Sequence, residues 1–134
     1  MSDAMQAVAD REAIRDLASR YAHCVWQKDV EGIVALFTED GVMDTGEGRP
    51  IEGHAAIRKV YGRIFELNDL MPYVHNHVID LTGDTAAGHC YLSLQATMEG
   101  RKVTGAGFYK DSYVRTGDGW RFVSRHLTMR HLGQ

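Results

Sequence analysis

The sequence has little cysteine, no excess of basic charge and no long hydrophobic run. Its 134 residues include two cysteines, Cys24 and Cys90, which form no Cys-x-x-Cys unit. We therefore expect reduced core thiols in a cytoplasmic protein rather than a disulfide framework. The net charge of −3 and the lack of a Lys/Arg cluster argue against nucleic acid as a partner.

Two further absences concern membranes and secretion. No apolar segment approaches the roughly 20 residues that a membrane-spanning helix needs. The N-terminal MSDAMQAVADREAI lacks the basic stretch and apolar run of a signal peptide. We expect no membrane partner. The 44% hydrophobic and 25% charged residues are typical of a globular protein, and the length predicts a single domain over residues 1–134.

The first half of the chain predicts three helices. Asp10 is a suitable N-cap for the first, which runs to about residue 27. Asp29 caps a short second helix, whose inward residues are Ile33, Leu36 and Phe37. Residues 42–44 then form a brief extended piece, followed by a glycine-rich turn. The third helix covers about residues 54–67.

The second half predicts a four-stranded antiparallel meander. Runs rich in aromatic and β-branched residues, separated by short clusters of turn formers, are typical of hairpins. The strands are expected at about residues 73–81, 86–98, 102–115 and 120–130. Helices followed by strands are an α+β order, in which three N-terminal helices cover one face of a curved, mainly antiparallel sheet. Such a fold leaves a cone-shaped cavity between its layers.

The last hairpin places a carboxylate and an arginine among aromatic residues. Strand alternation puts Tyr109, Asp111 and Tyr113 on one face. On the neighbouring strand, the same alternation groups Arg121, Val123, Arg125, Leu127 and Met129. An ion pair among aromatic rings is a poor piece of ordinary core, so we predict the floor of a pocket.

Three stretches carry a family resemblance: REAIRDLASRYAHCVWQKDVEGIVALFTEDGVMD, IEGHAAIRKVY and GFYKDSYVRTGDGWRFVSR. They resemble the nuclear transport factor 2-like superfamily, and within it the SnoaL-like enzymes and the ketosteroid isomerases. The resemblance implies a cone-shaped α+β barrel. It also supports a homodimer, which an open sheet with uncovered apolar surface favours. Members include isomerases, dehydratases and binding modules, so the fold alone names no activity.

The isomerase pattern of this family has three parts. A tyrosine in the first helix donates to a substrate carbonyl, an acid after the second helix moves the proton, and an acid in a late strand assists the tyrosine. Tyr21, Asp44 and Asp111 fall at these positions, with Asp44 as the base. The loop around Asp44 departs from the pattern, because it is shorter than usual and Thr45 replaces a common proline.

A second pattern, that of dehydratases and dehydrochlorinases, pairs an aspartate late in the first helix with a histidine early in the first long strand. Trp26 and Pro72 occupy those positions here. Asn76, Arg125 and the Tyr109/Asp111 pair match the pocket of that group. If Asn76 faces the pocket, His75 and His77 face away from it, unless a local bulge turns one of them inward.

Each candidate also has a structural alternative. Asp111 can pair with Arg125 as a salt bridge, Asp44 can cap its turn, and Tyr21 can pack in the core with its hydroxyl satisfied. Otherwise Arg125 is the cation that orients the substrate or binds its carboxylate or phenolate.

The predicted substrate-binding residues are Trp26, Tyr61, Asn76 and Tyr109. His75 and His77 lack a third ligand, so we expect no metal and no cofactor. The sequence thus predicts a cofactor-independent isomerase or lyase for a small hydrophobic carbonyl compound that is steroid-, polyketide- or aromatic-like. The alternative is a non-catalytic small-molecule-binding or oligomerisation module of the same fold.

Overall fold

The computed structural model describes residues 2–134, which fold as N-terminal helices packed on one curved sheet. In chain order the elements are α1 (Asp3–Gln27), α2 (Val30–Val34), β1 (Phe37–Asp44), β2 (Ile51–Glu52), α3 (His54–Leu67), β3 (Asn68–Thr82), β4 (Thr85–Met98), β5 (Arg101–Thr116) and β6 (Gly119–Gly133). The sheet has six strands in the order β2-β1-β6-β5-β4-β3. Neighbours are antiparallel except β1 and β6. The predicted α+β cone is confirmed, although its sheet stays unclosed.

Helix α1 begins earlier than predicted, and Asp10 is not its N-cap. The Ser2 side chain caps the helix by accepting a hydrogen bond from the Met5 amide at 3.1 Å. Asp10 lies inside the helix, where its carboxylate accepts hydrogen bonds from the Arg115 guanidinium at 2.7 Å and the Trp120 indole at 3.2 Å. The aspartate therefore serves a tertiary contact with the last hairpin, which helix-capping rules do not anticipate.

Helix α2 is capped by Asp29 as predicted but ends at Val34. The prediction that Phe37 belongs to this helix was wrong, because Phe37 begins strand β1. The Phe122 amide donates a hydrogen bond to the Leu36 carbonyl oxygen at 2.9 Å, which ties the start of β1 to β6. Pairing with a strand far along the chain thus overrides the local helical pattern. Strands β1 and β2 add to the predicted four-stranded meander, so the sheet has six strands.

A β-bulge at Val123 reverses the side-chain alternation of β6. Ser112 pairs with Ser124 and Tyr113 with Phe122, so Val123 has no direct partner and is 39% exposed. One extra residue flips every later side chain to the other face. The β6 residues turned toward the helices are therefore Trp120, Phe122, Arg125 and Leu127. The prediction that Arg121 and Val123 share the face of Arg125 was wrong.

The core lies between the helices and the concave face of the sheet. Its most deeply buried apolar residues include Ile14, Ile33, Phe37, Ile57 and Phe122. Cys24 and Cys90 are buried in this core and not bonded to each other, as predicted. Within residues 2–134, no helix is both long and apolar enough to cross a membrane.

Candidate functional site

An apolar cavity of about 200 Å³ lies between helices α1 and α3 and the concave face of the sheet. Aliphatic and methionine side chains form most of its wall, among them Val25, Met43, Ile64, Leu92, Leu94, Leu127 and Met129. A cavity of roughly 150 Å³ holds benzene, whereas sites for drug-sized ligands start at roughly 300 Å³. The cavity therefore fits one substituted ring. Of the substrates that the sequence allowed, the single-ring aromatic-like compounds match this volume best.

Two of the predicted residues, Tyr21 on α1 and Tyr61 on α3, lie side by side on the cavity wall. Their hydroxyl groups are hydrogen-bonded to each other, and the Tyr21 hydroxyl also contacts the Met43 sulfur at 3.9 Å. Burial raises the pKa of both tyrosines above the ordinary value. Both hydroxyls therefore stay protonated near neutral pH and act as hydrogen-bond donors.

Tyr109 of β5, a predicted binding residue, presents a third hydroxyl. Among residues 2–134, no group hydrogen-bonds to this hydroxyl, although every fully buried side-chain polar atom in that range has a partner. The hydroxyl is therefore not sealed off. Tyr109 is only 5% exposed and lines the cavity, so we infer that its accessible hydroxyl faces the cavity. A buried hydroxyl without a hydrogen-bond partner destabilises the protein. The Tyr109 hydroxyl is therefore a donor that a ligand can satisfy.

A buried ion pair lies behind this tyrosine wall. Arg125 donates from Nε and Nη2 to the two carboxylate oxygens of Asp111, at 2.8 and 3.0 Å. The guanidinium carbon lies 3.7 Å from the ring centroid of Tyr109 and 4.6 Å from that of Tyr21. Neither charged residue lines the cavity. The geometry matches the salt-bridge alternative for Asp111 and does not support its role as a protonated oxyanion donor.

A second β-bulge, in β3, decides which side chain near residue 76 faces the core. Two residues, His75 and Asn76, lie opposite a single residue of β4, and His77 resumes the pairing. Asn76, a predicted binding residue, is therefore exposed and does not line the cavity. His77 turns inward instead, which the sequence anticipated only as an exception.

His77 ends a hydrogen-bonded chain that leads to the ion pair. Its Nε2 lies 2.8 Å from the Tyr113 hydroxyl, which donates to Oδ2 of Asp111 at 2.7 Å. Because the hydroxyl proton points at Asp111, the imidazole Nε2 must donate to the hydroxyl oxygen. Burial lowers the pKa of His77 to about 4, so the ring is neutral near pH 7. No group of three potential metal ligands occurs among the described residues.

Asp44, the predicted base, does not reach the cavity. The pairing of β1 with β6 turns Met43 inward, and Asp44 lies toward the outer face. One carboxylate oxygen accepts from the Gly46 amide at 2.9 Å, and the other lies 3.3 Å from Nδ1 of His126. The Gly46 amide, helped by His126, holds the pKa of Asp44 below its usual range. The turn-capping alternative fits this geometry, and the assignment of a base does not.

The turn that Asp44 caps carries a carboxylate that the sequence did not single out. Glu47 lines the cavity at its solvent-exposed side. Gly46 and Gly48 on either side have φ angles of 82° and 74°, which glycine adopts without strain. The sequence signal that could have identified Glu47 is an acid in a glycine-rich turn that follows an extended segment.

Trp26, a predicted wall residue, lies outside the cavity. It is 40% exposed, and its indole N–H donates to the Pro72 carbonyl oxygen at 2.7 Å. These are the two positions that the dehydratase pattern fills with aspartate and histidine. In this chain Trp26 and Pro72 occupy these two positions and share the indole–carbonyl hydrogen bond. The aspartate and histidine of that pattern are therefore absent from them.

The helices packed on one curved, unclosed sheet form the α+β cone fold of nuclear transport factor 2-like proteins. The chain belongs to the SnoaL-like domain family, whose profile matches residues 6–126. A candidate aromatic ring hydroxylase from Novosphingobium aromaticivorans is 32% identical, with a TM-score of 0.88, over 95% of this chain and 94% of that one.

Two further solved structures share the fold at lower identity. A hexachlorocyclohexane dehydrochlorinase, LinA type 2, is 17% identical with a TM-score of 0.90, over 98% of this chain and 91% of that one. A ketosteroid isomerase-like protein from Erwinia carotovora atroseptica is 18% identical with a TM-score of 0.78, over 90% and 95% of the two chains. At these identities the likeness concerns the fold alone. The predicted family resemblance is confirmed.

Proposed function

We propose that the protein is an isomerase or lyase that moves a proton next to the carbonyl oxygen of a small, single-ring compound. The observation that carries this proposal is Tyr109, a buried tyrosine that lines a mainly apolar cavity of about 200 Å³ and whose hydroxyl has no hydrogen-bond partner among residues 2–134. A ligand oxygen placed at this hydroxyl accepts its hydrogen bond. The Tyr21–Tyr61 pair supplies further hydroxyl groups on the same wall.

The chemistry needs a base as well as an oxyanion donor. In the proposal, the Glu47 carboxylate accepts the proton from the carbon next to the carbonyl, and the electron pair moves onto the oxygen as an enolate. Tyr109 stabilises that oxygen while keeping its own proton. Return of the proton at another carbon completes an isomerisation, and departure of a leaving group from the β-carbon completes an elimination. The chain's own groups supply each step.

Proton exchange in deuterated water tests the proposal. The purified protein is incubated with 2-cyclohexenone, and mass spectrometry follows deuterium incorporation. We expect Glu47→Gln to slow catalysed exchange by about 10²–10⁴-fold, the usual contribution of a general base. Glu39→Gln is the matched control, because Glu39 is an exposed acid of β1 that does not line the cavity. Equal exchange by the wild type and Glu47→Gln would exclude Glu47 as the base.

A non-catalytic ligand-binding module is the second candidate, and one observation favours it. Neither acid of the isomerase pattern is available to a ligand, since Asp44 lies outside the cavity and Asp111 is bound by Arg125. Glu47 is then the remaining carboxylate on the wall, and it is exposed. Saturable binding of a single-ring phenol, with no exchange in a panel of small enones, would support the binding module over the enzyme.

We also propose a homodimer formed through the outer face of the sheet. The described helices pack on the opposite face, which leaves Phe108 in contact with His89 and Tyr91 at ring-centroid distances of 5.6 and 5.7 Å. An aromatic cluster on an uncovered sheet face favours association with a second copy. Light scattering at micromolar concentration should give a dimer for the wild type and a monomer for Phe108→Glu. A wild-type monomer would overturn this proposal.

A cytoplasmic location is part of the same proposal. Cys24 and Cys90 are both free thiols, which is the usual state in a reducing compartment. Cell fractionation with an antibody against the untagged protein tests this, and recovery outside the cytoplasmic fraction would contradict it.

A further inference from the structure

The cation nearest to the cavity is hidden behind the residues that line it. Arg125 is 1% exposed, so no ligand in the cavity touches its guanidinium. Its guanidinium carbon nevertheless lies 3.7 Å from the centroid of the Tyr109 ring, close to the ideal distance for a cation over an aromatic face. Tyr109 therefore lies between the positive charge of Arg125 and a ligand in the cavity, and the charge acts on the ligand without touching it.

The partner carboxylate does not cancel this charge at the wall. Burial raises the pKa of Tyr21 and of Tyr109 well above the ordinary value, and both stay protonated. Against this effect, Arg125 lowers the pKa of both hydroxyls, and its guanidinium carbon lies 3.7 Å from the ring centroid of Tyr109 and 4.6 Å from that of Tyr21. The positive end of the ion pair thus faces the tyrosines. In a site with few polar groups, such a fixed charge acts with little screening.

The hydrogen-bonded chain behind the pair holds this orientation. Asp111 accepts two hydrogen bonds from Arg125 and one from the Tyr113 hydroxyl, which in turn is bound by His77. Phe122 also lies under the guanidinium, 4.4 Å from its carbon to the ring centroid. The guanidinium is held by contacts with the rings of Tyr21, Tyr109 and Phe122 and by two hydrogen bonds to Asp111. Its position therefore does not depend on a ligand.

We propose that Arg125 makes the cavity selective for ligands whose ring oxygen is negatively charged, a phenolate or an enolate, by acting from behind Tyr109. Arg125 is then a positioning residue, and Tyr109 is the group that contacts the ligand. This inference rests on the proposed function, because it assumes that a ring oxygen binds at Tyr109. It goes further by naming the charge state that the site prefers and the residue that sets it.

The ionisation state of bound 4-nitrophenol tests this directly, because its phenolate has a distinct visible absorption band. The purified protein is titrated with 4-nitrophenol at a pH below the pKa of the free phenol. The wild type should bind it as the phenolate, with the apparent pKa of the bound phenol lowered enough to raise the ionised fraction about tenfold.

Two variants that remove either the anion alone or both charges of the pair separate an electrostatic role from a structural one. Asp111→Asn removes the compensating anion and should increase the bound phenolate fraction. The double variant Arg125→Met/Asp111→Asn removes both charges and should abolish the phenolate band while still binding the neutral phenol. Replacing a buried ion pair as a unit is well tolerated, so this variant is suited to fold. The matched control is Asp10→Asn/Arg115→Met, an ion pair remote from the cavity, which should leave the band unchanged.

The outcomes distinguish the two proposals. If the wild type binds no 4-nitrophenol, the proposed function fails, and this inference fails with it. If the wild type binds 4-nitrophenol but only in its neutral form, the proposed function stands and this inference is overturned. Equal phenolate fractions for the wild type and the double variant would overturn it as well. If Asp111→Asn does not fold, the comparison of the wild type with the double variant decides the matter.

Discussion

Arg125 and Asp111 face each other across neighbouring strands and share two hydrogen bonds, of 2.8 and 3.0 Å, at a place that solvent does not reach. A charge left alone in such a place is far more costly than a matched pair. Arg125→Met should therefore destabilise the fold by about 3–5 kcal/mol, because it leaves the Asp111 carboxylate without its partner. The measurement is urea unfolding followed by circular dichroism.

The double variant provides the control for this prediction. Arg125→Met/Asp111→Asn removes both charges and keeps a hydrogen-bond acceptor for the Tyr113 hydroxyl. It should recover most of the stability lost in the single variant. If the single and double variants unfold at the same urea concentration, the ion pair does not couple these residues as the structure indicates.

Asp10 should make the stability of the protein depend on pH. Hydrogen bonding from Arg115, followed by that from Gln6 and Trp120, lowers the pKa of Asp10 despite the opposing effect of burial. Since its pKa is lower in the folded state, the unfolded chain binds the proton first as the pH falls. The stabilisation is therefore present above the unfolded pKa, near about 3.9, and is lost as the pH falls through the folded value.

Urea unfolding of the wild type and Asp10→Asn at a series of pH values measures this effect. The difference between them should be largest near neutral pH and shrink in acid. Asp16→Asn is the matched control. Asp16 is also an α1 aspartate paired with an arginine, Arg20, but this pair is exposed. An exposed pair contributes about 0–1 kcal/mol, so its removal should change little at any pH. A pH-independent effect of Asp10→Asn would contradict the argument.

The sequence was informative wherever the signal was local. Helix α3, the cap at Asp29 and the hairpins of the meander were predicted from periodicity and turn residues. Residues 42–44 were predicted as extended, but the first part of strand β1 was missed because its pairing with β6 joins segments far apart in the chain, which no local pattern reports. The same pairing turns Met43 inward and Asp44 outward, so the predicted base lies outside the cavity.

The two β-bulges explain most of the remaining site errors. Each inserts one residue into an alternating pattern, and every side chain beyond it changes face. The bulge in β3 exposed Asn76 and turned His77 inward, and the bulge at Val123 separated Arg121 from Arg125. Tyr21, Tyr61 and Tyr109 all line the cavity, where helical spacing and strand alternation placed them, and their roles as site residues stay predictions.

Asp44→Asn should be nearly silent. Asparagine keeps the oxygen that accepts from the Gly46 amide and caps a turn about as well as aspartate. The lost charge affects only a half-exposed contact with His126. Exchange of 2-cyclohexenone protons should stay within about threefold of the wild type, well short of the effect of removing a general base. A loss of about a hundredfold or more would restore Asp44 as the base.

Filling the cavity should remove binding without unfolding the protein. Leu127 lines the cavity and is partly buried, so Leu127→Trp places an indole in the space that a ligand ring occupies. The stability cost should be no more than about 1–3 kcal/mol, the usual range for an enlarged core side chain. Isothermal titration with 4-nitrophenol should then show no binding. Leu67→Trp is the matched control, because Leu67 is 48% exposed and lies outside the cavity.

The central claim is that the Tyr109 hydroxyl holds the ligand oxygen, and calorimetric titration of 4-nitrophenol tests it most directly. Removing one hydrogen bond to a charged oxygen costs about 1.5–3 kcal/mol, which corresponds to roughly a 10- to 150-fold loss of affinity for Tyr109→Phe. Tyr91→Phe, on the outer face of the sheet, should bind as the wild type does. Equal affinity of the wild type and Tyr109→Phe would contradict the account.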